Sequence, residues 1–185
     1  RPFYIHMTNW KIIGFFFAGT LILLLLLRWQ GRTLYTPAAP KGIVSLELSS
    51  NPGAANAIAH EWRPTLINAF RWNMLLDFFV IPFYGLFLYS LCGYFSVLYK
   101  QGIFQRAGVL MAFGSLMAML FDAGENILMI ISIHWVITPV TTLLTSVFAV
   151  LKFGLILLAI LYILVSAVCM LLGKWLSGGE VEGKG

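Results

Sequence analysis

The feature that most limits what this chain can become is the spacing of its fixed charges, which leaves four long apolar segments at about residues 10–28, 66–99, 107–134 and 139–173. A helix rises ~1.5 Å per residue and needs about 20 apolar residues to cross ~30 Å of hydrocarbon. Each segment is long enough. In hydrocarbon every backbone N–H and C=O must be paired within the segment, which selects helices over open strands. The expected fold class is therefore all-α, an integral membrane four-helix bundle forming one domain over residues 7–185. Composition agrees, because 60% of the 185 residues are hydrophobic and 10% charged, against about 25% charged in an ordinary soluble domain.

The segment edges carry the expected markers. Lys11 and Arg28 flank the first, Arg106 precedes the third and Lys174 follows the fourth. Trp10, Trp72, Trp135 and Trp175 fall at edges, where an aromatic belt sits. Pro139 after Thr138 reads as a first helical residue, and Pro82 is expected to bend the second helix by freeing the carbonyl of Phe78. Residues 1–6, ahead of Met7, read as a remnant added before a native start, so His6 is set aside with them. The first segment reads as a span rather than a removable signal, since it has no small-residue cleavage site and ends at Arg28. Cys92 and Cys169 lie in apolar runs and read as unreactive small side chains.

Residues 29–65 join the first two spans and are too many for a turn. Val44, Leu46 and Leu48 alternate with Ser45 and Glu47, which predicts a short strand or extended stretch. Asn51-Pro52 reads as the N-cap and first residue of a helix over 52–62 that Arg63-Pro64 should end. The expectation is a partly structured loop capping one end of the bundle. Net charge is +5, but the bases stand singly at span edges rather than in a patch, so nucleic acid is not the implied partner. Lys100 and Arg106 crowd a short connection while residues 134–138 carry no Lys or Arg, which places both termini on the cytoplasmic side.

Chemistry is concentrated in four charges inside the spans: Asp77, Asp122, Glu125 and Lys152. Ionisable groups at membrane depth are expensive and normally face a bundle interior or a watery cavity. Counting from the basic residues at one end, Asp122 sits about 22 Å along, Glu125 about 27 Å, Asp77 about 34 Å and Lys152 about 33 Å. All four therefore gather in the outer third of a ~30 Å core or at its rim. Asp122, Glu125 and Asn126 share one helical face at i, i+3 and i+4. Thr145, Ala149, Lys152, Ile156 and Ala159 make a comparable stripe on the fourth helix, and Asn73, Asp77 and Tyr84 line up on the second. The loop falls on the same side, which brings Glu47, His60, Glu61 and His134 near the polar layer.

The runs Ser45-Leu46-Glu47-Leu48, Asp77-Phe78-Phe79 and Asp122-Ala123-Gly124-Glu125-Asn126 carry a resemblance. With Ile58 to Trp62 and Pro82-Phe83-Tyr84-Gly85, the chain resembles a group of uncharacterised bacterial four-span inner-membrane proteins. That group is similar in its Leu-Glu-Leu, Asp-Phe-x-Phe-like and Asp-x-x-Glu-Asn motifs. The resemblance implies a multi-pass protein of the bacterial inner (plasma) membrane and brings no activity with it. Claudin-like proteins are similar in architecture only, because this loop lacks their cysteine pair.

Three functional readings remain open on the residues. In the first, the polar layer is an outward-facing acidic pocket for an ion or small ligand, in a transport, channel or sensing role. Asp122 and Glu125 would be the primary acceptors, Asp77 a contributor, Asn126 a neutral partner and Lys152 the counter-charge. In the second, the same acids with His60, His134 and Glu47 hold a metal in a membrane-interface hydrolase, although no His-Glu-x-x-His or Cys-x-x-Cys spacing supports it. In the third, the charges fix helix register in a structural or scaffold protein. The balance leans away from an enzyme, no cofactor is implied, and the expected partners are the lipid bilayer, a cation or small ligand, and a second copy of the chain.

Overall fold

The computed structural model describes residues 9–99 and 102–178, with side chains as far as residue 172. The remnant expected at residues 1–6, Met7, Lys100 and Lys184, and the side chains of Lys174 and Trp175, lie outside the described residues. Asn9 opens the first helix by accepting the Lys11 N–H at 2.9 Å, and α1 then runs Trp10–Gly31 into a 3-10 turn, Arg32–Leu34. The remaining helices are α2 (Ile43–Glu47), α3 (Pro52–Thr65), α4 (Ile67–Leu98), α5 (Ile103–His134) and α6 (Pro139–Gly178). No strand occurs among the described residues. Four of these helices, α1, α4, α5 and α6, are long and apolar enough to cross a membrane, so the protein is an all-α, multi-pass membrane protein.

Local chemistry explains the starts. Thr138 accepts the Thr141 N–H through Oγ1 at 3.1 Å, Thr141 Oγ1 accepts the Thr138 N–H at 3.0 Å, and Pro139 follows at the first helical position. That reciprocal cap satisfies donors a helix end otherwise leaves open. The helix α5 begins four residues earlier than the charge count suggests. Gly102, at φ 107°, makes the turn that other residues resist, and Arg106 extends outward, exposed, in the first turn.

The helix α5 packs between α4 and α6, α4 also touches α6, and α1 docks on α4. Accordingly α4 and α5 bury much of their surface, while α1 and α6 leave most of theirs exposed. Exposed rows such as Leu21 and Leu25 on α1 or Leu157, Leu161 and Leu164 on α6 face outward, as lipid-facing surface requires. Trp10, Trp72 and Trp135 stand exposed at the helix ends. Cys92 is buried, Cys169 exposed, and both are free.

Two expectations for the connecting loop are corrected. Residues 44–48 are not extended: Ile43–Glu47 is a helix, in which Leu46 and Glu47 are buried and Ile43 half-buried. Those three positions fall at i, i+3 and i+4, so the helical period buries them on one side while the alternation of Val44, Leu46 and Leu48 goes unused. Pro64 does not stop α3 before it, for the helix continues to Thr65. Leu66 then closes the turn by donating its N–H to the Trp62 carbonyl at 2.8 Å. The expected cap of α3 holds: Asn51 Oδ1 accepts the Gly53 N–H at 2.8 Å.

Two apolar cores result. One, built by Leu34, Leu46, Ile58, Trp62, Phe70 and Met129 among others, glues the cap to the ends of α4 and α5. The other, with Val80, Leu88, Phe95, Ala112 and Ala159, lies further along α4, α5 and α6. Asp77 falls between Met74 of the first and Val80 of the second. A charged layer is thus held between two dry ones.

Candidate functional site

The site is assembled around Lys152. On α6 its side chain is 5% exposed, and Nζ lies 2.7 Å from Asp122 Oδ1 and 2.9 Å from Glu125 Oε2, both carried by α5. A third carboxylate approaches from the cap, with Glu47 Oε1 at 3.9 Å. These three ion pairs are the ones found among the described residues, and all belong to one lysine. From α4, Tyr84 donates its hydroxyl to Asp122 Oδ2 at 2.7 Å, and Asn126 Nδ2 donates to Asp77 Oδ2 at 2.6 Å. The i, i+3, i+4 spacing of Asp122, Glu125 and Asn126 delivers all three buried, the last two with no exposure at all.

Acceptors outnumber donors. Among the described residues, Glu47 Oε2, Glu125 Oε1 and Asn126 Oδ1 are buried without a hydrogen-bond partner, and Glu125 Oε2 meets the ammonium as an ion pair without hydrogen-bond geometry. A buried acceptor left open costs about 1–3 kcal/mol, more if it is charged. Glu47 belongs to the cap, outside the spans. Burial lifts its carboxyl from an ordinary 4.5 to about 7, with Lys152 pulling the other way and Asp77 and Asp122 adding to the rise. The cluster is thus a buried group of acidic side chains around one lysine, with open acceptors on Glu47 and Glu125.

All five residues singled out in the spans come together here. Glu47, expected only near the layer as a metal candidate, enters it as a third carboxylate. Tyr84 was aligned with Asp77 in sequence, but its hydrogen bond to Asp122 was not anticipated. Asn73 goes elsewhere: its Nδ2 donates to Gln30 Oε1 at 2.7 Å, and Gln30 Nε2 donates to the Ala69 carbonyl at 2.7 Å, tying the end of α1 to α4.

The histidines do not join. His60 is exposed on α3 beside an open cavity shared with Asn56, Arg63 and Pro64. His134 is engaged at both nitrogens: Nε2 accepts from Arg71 Nε at 3.2 Å, which places the ring proton on Nδ1, 3.1 Å from the Ile130 carbonyl. Among the described residues no three His, Cys, Asp or Glu side chains are grouped to hold a metal. Arg63 is also committed, donating to the carbonyls of Ile133 at 2.8 Å and Ser132 at 3.2 Å, where α5 ends. In comparisons with known proteins, no family model, curated protein or solved structure matches the chain.

Proposed function

We propose that this membrane protein binds a proton or small cation at the Glu47–Asp122–Glu125–Lys152 cluster, in a transport or sensing role. The carrying observation is the imbalance of charge and hydrogen bonding. With every group ionised, Asp77, Asp122, Glu125 and Glu47 face a single ammonium, leaving three negative charges uncompensated in a layer between two apolar cores. An uncompensated buried charge costs several kcal/mol. Protons or a cation supply the missing positive charge, and the open acceptors Glu47 Oε2 and Glu125 Oε1 are where they go. Because Glu125 is wholly enclosed, the ligand is small. The cap closes the site, so exchange requires α2 to move Glu47 away from Lys152.

The resemblance in the Leu-Glu-Leu, Asp-Phe-Phe and Asp-x-x-Glu-Asn runs supports a bacterial inner membrane, and the bases Lys100 and Arg106 in one short connection, against none in residues 134–138, support cytoplasmic termini with the cap outside. One bundle of this size encloses little pore, so conduction would use a homo-oligomer contacting through the exposed faces of α1 or α6. A purely structural reading competes, favoured by the way Lys152 joins α6 to α5 and Asn126 joins α5 to α4.

Thermal unfolding in detergent of wild type and Asp122→Asn, titrated with protons, Na⁺, Ca²⁺ and Zn²⁺, separates the two. Ligand at about 100 times Kd stabilises the folded state by ~2.7 kcal/mol, roughly 5–11 °C in Tm. The expected result is such a rise in wild type, for protons or one cation, that Asp122→Asn loses. No rise with any of the four, together with a much less stable variant, overturns the proposal in favour of the structural role.

A further inference from the structure

Away from the charged layer, a cavity of about 320 Å³ opens where α1 leaves the apolar zone and meets the cap. Its floor is apolar, with Leu24 and Leu27 from α1 and Ile43 and Val44 from α2. Its rim is cationic, formed by Arg28 from the last turns of α1 and Lys41 from just before α2. The two bases are thirteen residues apart in sequence and are brought to one cavity by the loop between them. Gly42, at φ 59°, sits against the Tyr35 ring, where an added Cβ would crowd it. That turn sets Lys41 on the rim and feeds Ile43 and Val44 into the floor.

The charge of this rim is unanswered. Every ion pair among the described residues belongs to Lys152, so neither Arg28 nor Lys41 meets a carboxylate there. Both are exposed, and Trp29 and Tyr35, also exposed, stand at the same level, as residues of the headgroup region do. Below the rim the floor continues into the outward apolar row of α1, where Leu21, Leu24 and Leu25 are all about half-exposed or more.

We propose that this cavity is a binding site for one anionic glycerophospholipid. Its phosphate sits between Arg28 and Lys41, where a planar guanidinium and a point-charge ammonium meet it from two sides. One acyl chain follows Leu24 and Leu27 down α1. Basic pockets at the edge of the hydrocarbon bind anionic lipid headgroups, and the apolar floor specifies a lipid rather than free phosphate. Since Arg28 belongs to a spanning helix and Lys41 to the cap, the bound lipid pins the cap to α1. This inference is independent of what the Lys152 cluster binds.

Native mass spectrometry of the protein in detergent, with phosphatidylglycerol or phosphatidylcholine added at equal concentration, provides the test. Wild type is expected to hold one phosphatidylglycerol with at least tenfold preference. The Arg28→Gln/Lys41→Gln double variant is expected to lose that preference. Arg32→Gln, which removes a neighbouring exposed base outside the cavity, is expected to keep it and serves as the control for overall charge. Equal binding of the two lipids by wild type overturns the proposal, as does an equal loss in Arg32→Gln. Displacement of phosphatidylglycerol by an equal concentration of inorganic phosphate overturns the assignment to lipid and makes the site one for the free anion. Folding of each variant is read from its thermal unfolding in the same detergent, and Lys41→Gln alone, on an exposed loop residue, is expected to show an intermediate preference.

Discussion

Lys152 Nζ lies 2.7 Å from Asp122 Oδ1, and the pair is buried on both sides. This contact joins α6 to α5 at the one level where, among the described residues, either helix buries charge. The same ammonium answers Glu125 and, at 3.9 Å, Glu47 of the cap. One cation therefore holds two spans and the cap loop together, and its removal should be felt in all three.

Lys152→Met is expected to destabilise the protein by about 3–5 kcal/mol, because it leaves buried carboxylates without their counter-charge. The triple change Lys152→Met, Asp122→Leu and Glu125→Met removes the charges together and is expected to recover a large part of that loss. Thermal unfolding in detergent reads both. A single variant as stable as wild type would mean that the acids hold their own protons and do not depend on the lysine.

The pH response of the cap follows from Glu47. Its carboxyl rises from 4.5 to about 7 in the folded protein, first by burial, against Lys152 and with Asp77 and Asp122. Glu125 also faces it across the cluster. Between those two values the folded state holds a proton that the unfolded chain has released. The stability this confers is complete below pH 4.5 and is lost as pH rises through about 7. It amounts to no more than about 3 kcal/mol. Glu47→Gln stays neutral throughout, so it should match wild type at low pH, exceed it above pH 7, and show a flatter profile. Parallel profiles for the two proteins between pH 4.5 and 8 would remove Glu47 as the group responsible.

Tyr84→Phe deletes the hydroxyl that donates to Asp122 Oδ2 at 2.7 Å. The ring still fills its place in the second core, so packing is kept and only the hydrogen bond is lost. A loss of about 1–3 kcal/mol is expected, since a buried charged acceptor gives up a donor. If the cluster binds a cation, the freed oxygen should also tighten that binding, which a titration of Tm with the ion detects. Unchanged stability and unchanged affinity would show that water takes the place of the hydroxyl.

How much of this was legible depended on which period governed each stretch. The helical period fixed the shared face of Asp122, Glu125 and Asn126, and counting along straight helices put Lys152 and Asp77 at their level, because spans admit little else. The cap followed no such rule. Over residues 43–48 the alternating and helical periods both fit, and only the apolar surface offered by Met129 and Ile133 of α5 decides for the helix. Whether Glu47 enters the layer depends on that choice, so its place could not be counted out. Tyr84 was two turns from Asp77 on one face, yet a tyrosine in a span is as easily an interfacial residue. His134, charged with suspicion as a ligand, is consumed by Arg71 and the Ile130 carbonyl, partners that are distant or generic in sequence.

Arg63 provides the last test, because it fastens the cap to α5 independently of the charged layer. Its guanidinium donates to the carbonyls of Ile133 and Ser132, which the last turn of α5 leaves open. A cation there also answers the negative end of the helix dipole. Arg63→Gln is expected to cost about 1–2 kcal/mol and to raise amide exchange in residues 36–65 more than in α4 or α5. If the cap must lift for Glu47 to release its ligand, the same variant should speed exchange of protons or the cation without abolishing binding, because every group of the Lys152 cluster remains. Faster amide exchange across the cap with unaltered ligand kinetics would show that the site opens by another route.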